Sequence, residues 1–359
     1  MESLYLLLAF VLSFAVAFAS TPLVKTFAVK IGAVDVPSER RIHKKPTPRL
    51  GGLAIFYGFV ISVLCFCDIN PDVQGMIFGS LVIVALGIVD DAKQLTAKVK
   101  LPFQIIAALI LCLFGARVDV LTVPTFISAE GVISLGWWSY PLTILWVVGI
   151  TNAVNLIDGM DGLAAGVSSI ASMSLFCISL ILGDPVVAVI TAALAGACFG
   201  FLPYNFNPAK IFMGDTGATF LGFILASVSV IGLFKSYAVI SFAVPFLVLG
   251  LPIFDTSFTI IRRIISRRPI MEPDREHLHH RLLDMGFSQK QSVTILYLIS
   301  TVLGICAIVL IGSGAVRALV LIAMIIIFLV FASRFMGIRE KEQTDKNQGE
   351  EKADKDEQN

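Results

Sequence analysis

Aspartates in this chain cluster with amides, glycines and lysines. Asp90 and Asp91 are adjacent at the end of an apolar run, and Lys93, Lys98 and Lys100 follow. Two neighbouring carboxylates repel each other, so a divalent cation or a lysine must hold them together. A solvated helix end is the alternative, but an acidic pair at a helix C-terminus opposes the helix dipole. A second group runs Asn152-Ala-Val-Asn155-Leu-Ile-Asp158-Gly159-Met-Asp161-Gly162. Its polar residues recur every three positions, which on a helix brings them near one face. Gly159 and Gly162 permit a tight turn and a close backbone approach to a ligand. Two carboxylates and two amides with no basic residue among them suit a metal or a sugar nucleotide. Mg²⁺ takes oxygen ligands and keeps water and substrate phosphates in its shell. An ordinary loop is the competing reading.

A third group, Asn205 to Gly217, sets Asp215 between glycines at the start of an apolar helix, whose N-terminus can support an anion. Phe212 in this loop is either a ring on which a base stacks or an interfacial anchor. The fourth group, His277-Leu278-His279-His280-Arg281, holds three of the four histidines. No cysteine is near, and Arg275 and Arg281 oppose a cation, so phosphate recognition fits better than zinc. A solvated polar helix is the alternative. The stretch His43-Lys44-Lys45 through Arg49, Gly51 and Gly52 is basic and glycine-rich; it either holds phosphate or only orients the chain. Asp255 lies inside an apolar run, where an acid is costly and usually buried with a partner, such as Thr256 or another helix.

The elements that position these groups are membrane helices. Of 359 residues, 57% are hydrophobic and 15% charged, against about 45–50% and 25% in soluble domains. Eleven apolar segments are long enough to read as spans: 4–24, 50–67, 76–89, 101–116, 137–152, 163–183, 186–202, 218–235, 238–261, 291–311 and 315–333. The fold class expected is all-α and polytopic. Of the 27 Lys and Arg, only Arg117, Lys235 and Arg317 fall on one side of this map. Cytoplasmic loops carry the Lys/Arg excess, so the N-terminus is expected outside and the C-terminus in the cytoplasm. The first basic residue, Lys25, follows the first apolar run, which therefore reads as a span rather than a cleaved signal. Residues 1–335 form the membrane domain, and the charged tail 336–359 is expected to be disordered. The six cysteines lie in or beside apolar runs and read as buried hydrophobes. A net charge of +1 gives no field directed at nucleic acid. All four polar groups fall on the cytoplasmic side. That disfavours a lipid-linked sugar transporter, which needs polar groups near the midplane.

The motifs PRLGG, the DD pair with its lysines, NAVNLIDGMDGLAAG, NFNPAKIFMGDTG and HLHHR, in this order, resemble the polyprenyl-phosphate N-acetylhexosamine-1-phosphate transferases over residues 1–335. IGAVDVPSERRIHKKPTPRLGGLAIF and PIFDT look like the bacterial branch that starts wall teichoic acid or related polymers. The phospho-MurNAc-pentapeptide transferases are the alternative branch; they usually carry consecutive histidines, whereas Leu278 interrupts the run here. The resemblance implies transfer of GlcNAc-1-phosphate from UDP-GlcNAc to undecaprenyl phosphate in the bacterial plasma membrane, with Mg²⁺ as cofactor and Mn²⁺ able to substitute. A homodimer is among the assemblies open to such an enzyme. By resemblance Asp215 and Asn155 hold the metal, and Asp90, Asp91, Asp158 and Asp161 form the catalytic set. Lys45, Lys100, Asn152, Asn205, Phe212, His277, His279, His280 and Arg281 contact substrate.

Overall fold

The computed structural model describes residues 2–35, 46–122, 132–233, 240–266 and 277–311. Lys45, the eleventh apolar segment and the charged tail lie outside them. The described chain is mostly helical: α1 (Glu2–Lys30), α2 (Gly52–Phe66), α3 (Pro71–Lys93), α4 (Ala97–Leu113), α5 (Ser139–Leu156), α6 (Leu163–Leu182), α7 (Pro185–Asn205), α8 (Gly214–Val228), α9 (Ile240–Val248), α10 (Gly250–Ile265), α11 (Leu278–Asp284) and α12 (Gln289–Ile311). Among the described residues, six helices are long and apolar enough to cross a membrane: Leu4–Lys30, Pro71–Lys93, Leu163–Leu182, Pro185–Asn205, Gly214–Gly232 and Gln289–Ile311.

The caps explain several boundaries. Asn70 accepts a hydrogen bond from the Val73 amide at 3.0 Å ahead of Pro71, and Asp184 does the same for Val187 ahead of Pro185. Both use a short polar acceptor followed by a proline whose missing N–H is not needed. The Asn70 cap starts α3 ahead of the apolar run 76–89. The ninth apolar segment is two helices, not one. Pro252 has no N–H to give the Val248 carbonyl, and α9 ends at Val248. The expectation of helices alone also misses two small antiparallel ladders: β1 (Val34–Asp35) with β2 (Thr47–Pro48), and β3 (Val120–Thr122) with β4 (Val132–Ser134).

The helices close on one another through small residues. A Cβ on Gly52 would strike the backbone of Gly217, one on Gly87 would strike Thr216, and one on Gly222 would strike Thr151. These contacts draw α2, α3 and α5 onto α8, which is buried along its length. Alternating helix direction brings the C-terminal ends of α3, α5 and α7 to the same end as the N-terminal ends of α2, α4, α6 and α8. Every candidate group on these helices lies at that end.

Candidate active site

The two adjacent aspartates have different partners. Asp91 is buried and turned to α8: its Oδ1 accepts from the Asp215 amide at 3.0 Å, and its Oδ2 accepts from the Thr216 amide at 3.1 Å and the Thr216 hydroxyl at 2.6 Å. It caps α8 from another helix, putting a carboxylate where the helix N-terminus carries positive potential. Met213, at the cap position in sequence, supplies no side-chain bond. The approach needs a glycine at 214. Its φ is +74°, and a Cβ there would lie 2.5 Å from Asp91 Oδ2.

Asp90 faces the other way. Its Oδ1 accepts from the Leu95 amide at 2.6 Å, and its Oδ2 pairs with Lys100 Nζ. The same ammonium lies 2.5 Å from Asp215 Oδ2. Lys100 therefore bridges the end of α3 and the start of α8 from the first turn of α4. Asp90 is 3% exposed and the Asp215 side chain 35% exposed, so of this pair only Asp215 is open to an arriving ligand. Arg49 donates from Nε to the Asp91 carbonyl at 3.1 Å and lies 3.7 Å from Asp35. Backbone bonds from Phe212 N to Pro48 O (2.8 Å) and from Gly51 N to Phe212 O (3.0 Å) tie the PRLGG turn to the Phe212 loop.

The side chain of Asp158, in the turn after α5, has no hydrogen-bond or ion-pair partner among the described residues. Burial pushes its carboxyl well above the usual carboxylate range, and Asp215, Asp91 and Asp161 add to the effect. Asn155, one turn back, is partly exposed, and its carbonyl accepts from the Asp158 amide at 3.2 Å. Among the described residues no three His, Cys, Asp or Glu side chains are arranged as a metal cage. Lys100 sits between Asp90 and Asp215, and Asp91 is committed to α8. The oxygen donors that remain, Asp215, Asp158 and the Asn155 amide, suit a hard cation that brings water and substrate phosphate as its other ligands.

Other expected site residues also bond within the protein. Asp161 Oδ2 accepts from Asn207 Nδ2 and from the Ala209 amide, both at 3.0 Å. Asn205 is buried, accepting from Gly162 N at 3.1 Å and donating to Ile211 O at 3.0 Å. Asn152 donates to Gln104 Oε1 at 2.7 Å, joining α5 to α4 one turn from Lys100. Sequence reasoning missed Gln104; its signal is a lone amide inside the apolar run 101–116. Thr216 was missed too, though it adjoins Asp215.

The histidine segment is placed by Asp255. That carboxylate accepts from the Leu278 amide at 2.8 Å and lies 2.9 Å from His277 Nδ1. The rings of His277 and His279 are parallel at 5.7 Å, and His280 lies 4.3 Å from His279, centroid to centroid. His279 fills the space into which a Cβ on Gly159 would project. Burial, with His280 next, lowers the His279 pKa to about 4, so this imidazole is neutral. The Arg281 guanidinium lies 5.8 Å from the centroid of the Phe258 ring.

Membrane-length helices with a carboxylate–lysine centre at one end define a multi-pass membrane enzyme. Residues 73–233, which hold Asp90, Asp91, Lys100, Asp158 and Asp215, match glycosyl transferase family 4. The chain is 44% identical over 334 residues to a Bacillus subtilis protein named probable undecaprenyl-phosphate N-acetylglucosaminyl 1-phosphate transferase, covering 93% of this chain and 92% of that one. It is 38% identical over 313 residues to the decaprenyl-phosphate N-acetylglucosaminephosphotransferase of Mycolicibacterium smegmatis, covering 79% and 76%. It is 30% identical over 318 residues to a Staphylococcus aureus phospho-N-acetylmuramoyl-pentapeptide-transferase, covering 84% and 96%. The chain belongs to glycosyl transferase family 4.

Proposed function

We propose that this enzyme transfers GlcNAc-1-phosphate from UDP-GlcNAc to undecaprenyl phosphate, giving undecaprenyl-diphospho-GlcNAc and UMP, as the first membrane step of teichoic acid or a related polymer. The observation that carries the reading is the Asp90–Lys100–Asp215 bridge, with the Asp158 carboxyl, which has no partner among the described residues, close enough to feel Asp215. It is a charged centre built for phosphate, in a chain 44% identical to a relative named for this chemistry. The lower identity to the pentapeptide transferase favours the GlcNAc donor. The membrane map that goes with it has eleven spans, the N-terminus outside and the centre facing the cytoplasm, where a soluble nucleotide is available.

In this reading an oxygen of the lipid phosphate attacks the phosphorus that bears GlcNAc. A new P–O bond forms, the bond to the UMP phosphate breaks, and UMP leaves. Lys100 shifts from Asp90 and Asp215 towards the incoming phosphate and holds it in line, a positioning role that phosphoryl transfer rewards. Once Lys100 has moved off Asp90 Oδ2, that oxygen becomes available to accept any proton the acceptor still carries, while Leu95 N holds Oδ1. A phosphate monoester has a second pKa of about 6, so that proton is mostly gone at neutral pH and Asp90 chiefly arranges charge. Mg²⁺ held by Asp215 and Asn155, with Mn²⁺ able to replace it, would offset the negative charge of the diphosphate. Phe212 and Asp158 sit against the uridine, and His279, His280 and Arg281 against the sugar phosphate.

The test offers purified enzyme UDP-GlcNAc and UDP-MurNAc-pentapeptide together with undecaprenyl phosphate, and identifies the lipid product by mass. The GlcNAc lipid is the expected product. Exclusive formation of the pentapeptide lipid would overturn the donor assignment while leaving the chemistry intact.

A further inference from the structure

The histidine segment reaches the Asp158 turn from a distant part of the chain. Its start is held from α10. Asp255 is 9% exposed and His277 6% exposed. A carboxylate offers acceptors only, so the 2.9 Å contact requires a proton on His277 Nδ1. The second carboxylate oxygen takes the Leu278 amide, the first backbone donor of α11. One side chain thus sets both the ring orientation of His277 and the start of the helix that carries His279, His280 and Arg281. The parallel stack of His277 on His279 carries that placement to the turn, where His279 occupies the space over Gly159.

We infer that Asp255 is the positioning residue of the donor side: it holds the histidine segment over the Asp158–Gly159 turn without touching substrate. The inference rests on the proposed function only for the name of the donor; the docking itself is independent of it. An amide at 255 has one acceptor for two donors. Asp255→Asn therefore either strands the Leu278 N–H or forces His277 into the opposite tautomer, and a tautomer switch of this kind alters function with little change in fold. Asp255→Glu keeps two acceptors and restores part of the contact. Gly159→Ala attacks the same docking from the other side.

The experiment uses purified full-length protein and has two arms. In the first, carbethoxylation of each histidine by diethyl pyrocarbonate is followed by peptide mass spectrometry. In wild type His279, 3% exposed, should react at least tenfold more slowly than His280, which is partly exposed. Asp255→Asn, Asp255→Ala and Gly159→Ala should each reduce that protection severalfold, and Asp255→Glu should recover part of it. In the second arm, KM for UDP-GlcNAc should rise about tenfold in Asp255→Asn, while KM for undecaprenyl phosphate moves less than twofold. Should Asp255→Ala fail to fold, Asp255→Asn decides both arms. Unchanged protection of His279 with unchanged KM for UDP-GlcNAc would overturn the inference. A wild type that protects His279 as described but turns over no UDP-GlcNAc would instead refute the donor named above.

Discussion

Asp91→Asn separates two roles for the buried acid. If Asp91 acts on substrate or metal, its loss multiplies with the loss of Asp215. The geometry assigns it instead to the placement of Asp215, through three hydrogen bonds to the first turn of α8. Hydrogen bonds to a charged group contribute about 1.5–3 kcal/mol each, and neighbouring bonds are not additive. Asparagine keeps one acceptor and turns an N–H₂ towards donors, so at least one of the three bonds is lost and the others lose their charge, about 3–4 kcal/mol in all. Part of this appears as reduced thermal stability in detergent. If about 2–3 kcal/mol reaches the reaction through a displaced Asp215, turnover falls by about 30- to 150-fold. The assay is UMP release by Asp91→Asn, Asp215→Asn and the double variant, with melting temperatures alongside. The double variant should be no slower than Asp215→Asn alone. Losses that multiply, or an Asp91→Asn enzyme with wild-type melting and turnover within twofold, would refute the assignment.

Phe212→Ala should weaken UDP binding by about 1–3 kcal/mol, five- to hundred-fold, since stacking on a ring is lost; the backbone bonds of residue 212 to Pro48 and Gly51 survive the change, and calorimetric titration reads the result. The His279 imidazole takes a proton only near pH 4 in the docked segment, against 6.5 ordinarily. Between those values the undocked segment binds a proton that the docked one does not, so docking is complete above about pH 6.5 and weakens as the pH falls towards 4. KM for UDP-GlcNAc should rise over that window in wild type and stay flat in His279→Gln. A cysteine placed at Ser128 should react with an impermeant thiol reagent in wall-permeabilised intact cells, whereas one placed at Gln348 should not; reversed labelling would turn the membrane map over.

The residues of the centre were legible because their types are out of place in an apolar chain. Asp90, Asp91, Lys100 and Asp215 stand at the ends of hydrophobic runs, and alternating helix direction brings such ends together. The division of labour between Asp90 and Asp91 was not legible. Successive helix positions point about 100° apart, so one faces Lys100 and the other α8, and which is which depends on how α3 is rotated in the bundle. Asp161 reads as catalytic and Asn205 and Asn152 as substrate contacts in sequence; their bonds within the fold, to the Asn207 loop, the Gly162 and Ile211 backbone, and Gln104, were not legible. An amide or carboxylate in a polar loop advertises bonding capacity but not its partner. The break between α9 and α10 had a local signal in Pro252, which a hydropathy reading passes over. Asp255 stood out as a buried acid, yet its partner lies 22 positions away across a loop.

The measurement that bears most directly on the whole account is UMP release from UDP-GlcNAc by the purified full-length enzyme, run with and without undecaprenyl phosphate and with and without Mg²⁺. The account predicts release only when all three are present, one UMP for each lipid diphosphate formed, and loss of most of that rate in Lys100→Gln, whose side chain can no longer bridge Asp90 and Asp215 as a cation. Undiminished release without the lipid acceptor, or a Lys100→Gln enzyme that works at the wild-type rate, would contradict it.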